Sequence, residues 1–365
     1  MSNNQILQGF ILGQRAKGHT GGSAVISSGS GGSLPEDYIK GYTMGLGSVG
    51  WYFYPTFDPE GQGLYLTFSS TSDFSITRRS GFEAKTWDGD IEYSTDTRNW
   101  TVWDGTTAIS SADGVLYLRG SGNTVIFGNV STSYTWLLSG AQISCTGNLE
   151  TLLDYQTVRL GGHPAMDDYC FAHLFYDNHN LVSAPDFSGG TISKYCFYEA
   201  FAACTGLVSG VDLTVDEIPA SACDRMYYEC TSLVNAPALD AAKIGDYGCR
   251  RMFYGCSALA FPPSLQLETV GIYGASEMFR NCSSLQYLPS LADGVTLGAY
   301  CYANMFTGTT ARINGQSYSS YLYPFVISGT ASTGSTTYMF DAVSTYGEIN
   351  TPTVGVTYYA NVPVL

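Results

Sequence analysis

Cysteine is the residue type in this chain with the widest choice of chemistry. There are ten, and nine of them, from Cys170 to Cys301, fall in one stretch, with Cys145 just before it. Thiols in such number can be disulfide partners, zinc ligands or buried packing groups. Seven residues separate Cys249 from Cys256, which on a helix is roughly 10 Å. A disulfide needs its Cα atoms within about 7 Å, so that spacing rules out a bridge inside the segment. There is no C-x-x-C pair, which speaks against zinc. Free, buried thiols are the expectation.

The other reactive residues select no reaction. His19, His163, His173 and His179 form neither an H-E-x-x-H pair nor a triad around a nucleophile elbow. Asp167-Asp168 and Asp88-Gly89-Asp90 could offer loop oxygens to calcium, but short acidic turns are common and no metal is assigned to them. Gly120-Ser121-Gly122 is expected in a hairpin turn, not between a strand and a helix where it could cradle phosphate. The carboxylates are scattered, and no spacing picks out a glycosidase-like pair. No catalytic residue, cofactor or metal is therefore assigned. Recognition falls instead to tyrosine, of which there are 28. Tyr198, Tyr228, Tyr254, Tyr273, Tyr287 and Tyr302 are expected to form a ridge whose flat faces and hydroxyls suit sugar rings or a protein partner. The competing expectation is that they pack at the edge of the core.

Composition narrows the partners. The net charge is −15, and no Lys/Arg run could neutralise a row of phosphates, so nucleic acid is not an expected partner. No apolar run reaches membrane-spanning length, so no membrane insertion is expected. With 42 Gly and only 13% charged residues, the chain suggests many turns, many short strands and an aromatic-rich surface. The start, Met-Ser-Asn-Asn-Gln, lacks a positive region and an unbroken apolar stretch, as expected of a product made in the cytoplasm without an export signal.

The elements that must position these side chains differ along the chain. Ile6, Leu7, Phe10 and Ile11 share a helical face, and residues 18–33 are nearly all Gly and Ser apart from Val25-Ile26. Residues 1–35 thus read as an attachment peptide and tether. From 36 to 145 the apolar period is two, with Leu64, Leu66 and Phe68, then Phe74 and Ile76, then Ile91 and Tyr93. Turn clusters between these strands have the spacing of a small antiparallel sandwich, and residues 90–103 read as a hairpin with its tip at Thr95 to Arg98.

From 146 to 310 the chain repeats. Aromatic residues stand at Phe175, Phe201, Tyr227, Phe253, Phe279 and Phe306, in four steps of 26 and one of 27. Leu181, Leu207, Leu233, Leu259 and Leu285 follow six residues after the aromatics, and Met166, Ile192, Ile218, Ile244, Val270 and Leu297 precede them by nine. Cys249, Met252, Phe253 and Cys256 have the spacing of one face of a short helix. Pro185, Pro237, Pro263 and Pro289 force the following stretch to be extended. Such a unit cannot bury its own apolar face, so copies are expected to stack as a solenoid with capped ends, closed by residues 311–365 with a degenerate unit at Tyr338-Met339-Phe340.

The segments Met226-Tyr-Tyr-Glu-Cys-Thr-Ser-Leu233, Met252-Phe-Tyr-Gly-Cys-Ser-Ala-Leu259 and Met278-Phe-Arg-Asn-Cys-Ser-Ser-Leu285 resemble the Met-Phe-x-x-Cys-x-x-Leu core of BspA-like leucine-rich repeats. Asn178, Thr309 and Ala275 depart from it where Cys is usual. The resemblance covers roughly residues 166–310 and implies an α/β leucine-rich-repeat solenoid with an adhesive role, carrying no catalytic residues. The strand-rich region leading into the repeats also resembles phage structural proteins. The expected chain is thus mixed and β-rich, an Ig-like β-sandwich followed by the solenoid. As a phage virion fibre or adhesin subunit it would dock on other virion proteins by its N-terminus and present the repeats to a host-surface glycan or protein. A homo-oligomer, such as a trimer, is expected on the virion surface. A bacterial cell-surface adhesin and a polysaccharide depolymerase are the alternatives.

Overall fold

The computed structural model describes residues 24–26, 38–42, 49–53, 65–79, 85–128, 135–286, 288–289, 291–309, 312–314, 323–327, 329–330, 332–340 and 351–361. The chain divides into two units, Met1–Gly61 and Gln62–Leu365. In the first, β1 (Ala24–Ile26) and β2 (Tyr38–Tyr42) each pair antiparallel with β3 (Val49–Phe53). Val25 and Ile26, the β-branched interruption of the Gly/Ser run, lie in β1. The attachment residues Ile6, Leu7, Phe10 and Ile11 lie outside the described residues.

The second unit is β-rich, and α1 (Thr151–Arg159) is its only α-helix among the described residues. It opens with β4 (Leu66–Ser70), β5 (Ser75–Arg78), β6 (Asp90–Ser94), β7 (Thr101–Val102), β8 (Ile109–Ser110), β9 (Val115–Ser121), β10 (Trp136–Ser139) and β11 (Ile143–Thr146). With β12 (Leu181–Ser183) they build a six-stranded sheet ordered β12-β11-β4-β9-β6-β7 and a three-stranded sheet ordered β10-β5-β8. The period-two residues Leu66, Phe68, Ile76, Ile91, Leu116 and Leu118 are all buried. The expected hairpin is the β6–β7 pair, its tip held by Asp96, which accepts hydrogen bonds from the Arg98 and Asn99 amides. Gly120 lies within β9, not in a turn. A Cβ there would fall 1.6 Å from the Leu152 carbonyl oxygen of α1, so only glycine lets helix and strand approach.

Beyond α1 the 26-residue units lie side by side. Ile218, Ile244, Val270 and Leu297 pair in register through the parallel strands β14 (Glu217–Ile218), β16 (Lys243–Ile244), β17 (Thr269–Val270) and β18 (Val295–Leu297). A second parallel pair joins β13 (Leu213–Thr214) to β15 (Leu239–Asp240). Strand β21 (Gly329–Thr330) continues the longer ladder. Near the C-terminus β19 (Arg312–Asn314) and β20 (Tyr323–Val326) flank β22 (Thr357–Asn361).

The segment carrying Cys249, Met252, Phe253 and Cys256 is not the expected helix. The amides of Gly248, Arg250, Met252, Tyr254 and Cys256 each bond to the carbonyl three residues back. Those of Tyr247, Cys249, Arg251, Phe253 and Gly255 instead bond across to Ile272, Gly274, Ser276, Met278 and Arg280 of the next unit. The result is a train of overlapping turns in which every second donor knits one unit to its neighbour. Tyr247, Arg251 and Gly255 have φ of +59°, +55° and +73°, the left-handed conformation that a type II turn requires at its third residue. The same four-residue spacing recurs at Tyr195, Glu199 and Ala203, and at Ser221, Arg225 and Glu229. A helix would have spent the odd-numbered amides internally; stacking takes them instead.

This knitting aligns the side chains in columns. Phe175, Phe201, Tyr227, Phe253, Phe279, Phe306 and Phe340 form one continuous ring stack with centroid spacings of 4.9 to 5.6 Å. At its start Phe175 meets Phe68 of β4 and Trp136 of β10, so the core of the opening sheets runs into that of the repeats. The thiols of Cys204, Cys230, Cys256 and Cys282 donate to the carbonyls of Phe175, Phe201, Tyr227 and Phe253 of the preceding unit at 3.0 to 3.1 Å. At the ends of this column Asn178 and Thr309 replace the thiol, bonding to the carbonyls of Phe175 and Phe306. Residues 332–340 add a last turn train, which accepts hydrogen bonds from Tyr300, Tyr302, Asn304 and Phe306 and is itself covered by Thr351 and Pro352.

Candidate functional site

The thiols build no reactive centre. All ten are buried and unbridged. Burial pushes Cys204 and Cys301 up to about 12, so neither is a thiolate near neutrality. Among the described residues, no group of three or more His, Cys, Asp and Glu could hold a metal ion. His163 Nδ1 lies 2.9 Å from the buried Glu150 carboxylate, which also accepts from Asn148 and Ser188 and ties the segment before the repeats to the first 26-residue repeat. No helix among the described residues is long and apolar enough to cross a membrane.

The tyrosines divide between different columns. Tyr228 and Tyr254 stack at 4.8 Å, each one residue past the buried aromatic of its unit. Tyr198 is half-buried, its hydroxyl accepting from Arg225; burial, with Glu199 beside it, pushes that hydroxyl up to about 12. Tyr287 lies outside the described residues. Tyr302 is buried and cannot contribute to an exposed ridge. It stands four residues before Phe306, in the interior column that Cys223, Cys249 and Ala275 occupy in earlier units.

Tyr273 belongs to a further column, six residues before each aromatic, made of Tyr247, Tyr273 and Tyr300. Their rings are spaced 5.3 and 5.2 Å apart and tilted by only 12° and 11°. The same position stacks Tyr169 on Tyr195, and Ser221 interrupts the row. Tyr247 and Tyr300 were not among the expected ligand residues, although the 26- and 27-residue steps from Tyr247 to Tyr300 are visible in the sequence.

Beside this column lies a cleft of about 430 Å³, lined by the three tyrosines with Arg250, Arg251, Ser276, Glu277, Ala303, Asn304 and Thr337. Its charges are paired between units. Arg250 bonds at 2.7 Å to Asp224, a carboxylate that burial raises above its usual range against the pull of Arg250. Arg251 bonds at 2.8 Å to Glu277, which also holds Arg280. The Arg250 guanidinium covers the outer face of Tyr247 at 4.8 Å. At the other end Gly334 lies so close to Tyr300 that an added Cβ would sit 2.5 Å from its ring. With inner faces stacked and outer faces covered, the column offers a ligand ring edges and hydroxyls, not the flat faces expected of a sugar platform.

No family model, curated protein or solved structure matches this chain.

Proposed function

We propose that this chain is a non-enzymatic virion fibre or adhesin subunit of a phage, with a β-sandwich leading into a solenoid of BspA-like leucine-rich repeats. The observation that carries the proposal is the stack of 26-residue units, each in register with the next, presenting a cleft of recurring polar groups. Rigid presentation of a surface is what such an architecture does well, because every unit contacts only its neighbours and equivalent positions line up on one face. The Met-Phe-x-x-Cys-x-x-Leu cores and the adhesive role they imply point the same way. Ile6, Leu7, Phe10 and Ile11 would dock on other virion proteins, and the solenoid would face a glycan or protein of the host surface. The subunit would be a homo-oligomer, with a trimer as the first symmetry to test.

Immunogold electron microscopy with antibodies to the chain tests this reading. Gold on projecting fibres of intact particles is expected. Gold on bacterial cells and none on particles would sink the virion assignment in favour of a cell-surface adhesin. Release of oligosaccharides from host capsule by the purified chain would overturn its non-enzymatic character.

A further inference from the structure

We infer that the cleft along Tyr247, Tyr273 and Tyr300 binds a neutral, extended glycan chain edge-on, by hydrogen bonds to the tyrosine hydroxyls and not by stacking on their faces. This inference rests on the host-binding reading and gives it a site and a ligand class.

Three observations carry it. First, the hydroxyls of the three tyrosines and the side-chain carboxamide of Asn304 make no hydrogen bond to another described residue, so their hydrogen-bonding capacity is open to a ligand. Arg250 and Arg251 spend Nε and Nη2 on Asp224 and Glu277, which leaves each an Nη1 donor. Second, the ring spacings of 5.3 and 5.2 Å are comparable to the length of one pyranose unit in an extended polysaccharide, so the three hydroxyls can meet successive sugars of one chain. Third, both arginines that line the cleft are ion-paired to carboxylates at 2.7 and 2.8 Å, so neither presents an unpaired charge to reward an acidic sugar.

A peptide fits the cleft less well. Every second amide of these turn trains is spent on the next unit, so the backbone donors needed to add a strand are committed. Ala303 is the only aliphatic side chain in the lining, so no apolar pocket receives an anchor residue.

The test is a printed array of neutral and acidic oligosaccharides probed with the full chain, followed by calorimetric titration of the best-bound neutral member. The variant Tyr247→Phe/Tyr273→Phe/Tyr300→Phe removes three hydroxyls and keeps the ring stack. It should retain the wild-type melting temperature and bind at least about tenfold more weakly. The control Tyr228→Phe/Tyr254→Phe, in the other tyrosine column, should bind like wild type. Three outcomes would each overturn the inference: no neutral glycan bound, acidic glycans preferred, or affinity unchanged in the triple variant. Because the array uses isolated protein, these outcomes are separable from the microscopy. Particles labelled without glycan binding would cost the inference alone, and glycan binding without particle labelling would cost the virion assignment alone.

Discussion

At the scale of single residues, Cys204, Cys230, Cys256 and Cys282 act as small buried donors that each fasten one unit to the carbonyl of the one before, and all ten thiols are buried. This makes the thiols inert in the native state. Alkylation at neutral pH should modify none of the ten thiols in folded protein and all of them in denaturant, read by intact mass. The raised values also set a pH dependence. Unfolded thiols ionise near about 8.5, whereas Cys204 and Cys301 are pushed up to about 12, so the folded chain keeps protons that the unfolded chain sheds. Stability should therefore be fully present below that lower value and fall as pH rises towards the upper one. Melting temperatures taken between about pH 8 and pH 10 should decline, and Cys204→Ala should decline less steeply over the same interval. The clustering of thiols and their burial could be read from one residue type recurring in register. Which tyrosines face outward could not, because Tyr302 looks like its exposed namesakes until its offset from Phe306 is compared with that of Cys249 from Phe253.

At the scale of the element, the turn train explains why the helix expectation failed. The spacing of Cys249, Met252, Phe253 and Cys256 also fits a chain that turns every four residues, which buries Gly248 and Cys249, then Met252 and Phe253, then Cys256. What separates the two is the destination of the odd-numbered amides, and that lies 25 residues further on, beyond the reach of a local pattern. The strands of the opening sheets were easier to anticipate, since Leu66, Phe68 and Ile76 alternate with residues that stay partly exposed. Side chains in the left-handed conformation are strained by about 1 kcal/mol, and the train holds them there through its neighbours. Ala203, at φ +60°, should consequently tolerate glycine with a gain of roughly 0.5–1 kcal/mol, whereas Ala200→Gly, at a buried position without that strain, should lose a similar amount. Thermal denaturation of the two variants checks both signs. Phe253→Ala, which opens a gap in the ring stack, should cost about 3–5 kcal/mol in chemical denaturation.

At the scale of the whole molecule, the constant step makes units exchangeable. Deleting residues 231–256 joins Cys230 to Ser257, the equivalent of the native Cys256–Ser257 junction. That variant should fold with a single cooperative melt at a lower temperature, while a deletion of half the length should lose its native circular dichroism because every column slips out of register. The bonds between units run along the direction in which the units follow one another. A pull applied in that direction loads all the bonds of an interface at once. Five turn-train amides, from Tyr247 to Gly255, cross one interior seam and share that load. Under traction a seam therefore fails as a whole and not bond by bond, so stretching a single molecule should release chain in steps of one repeat.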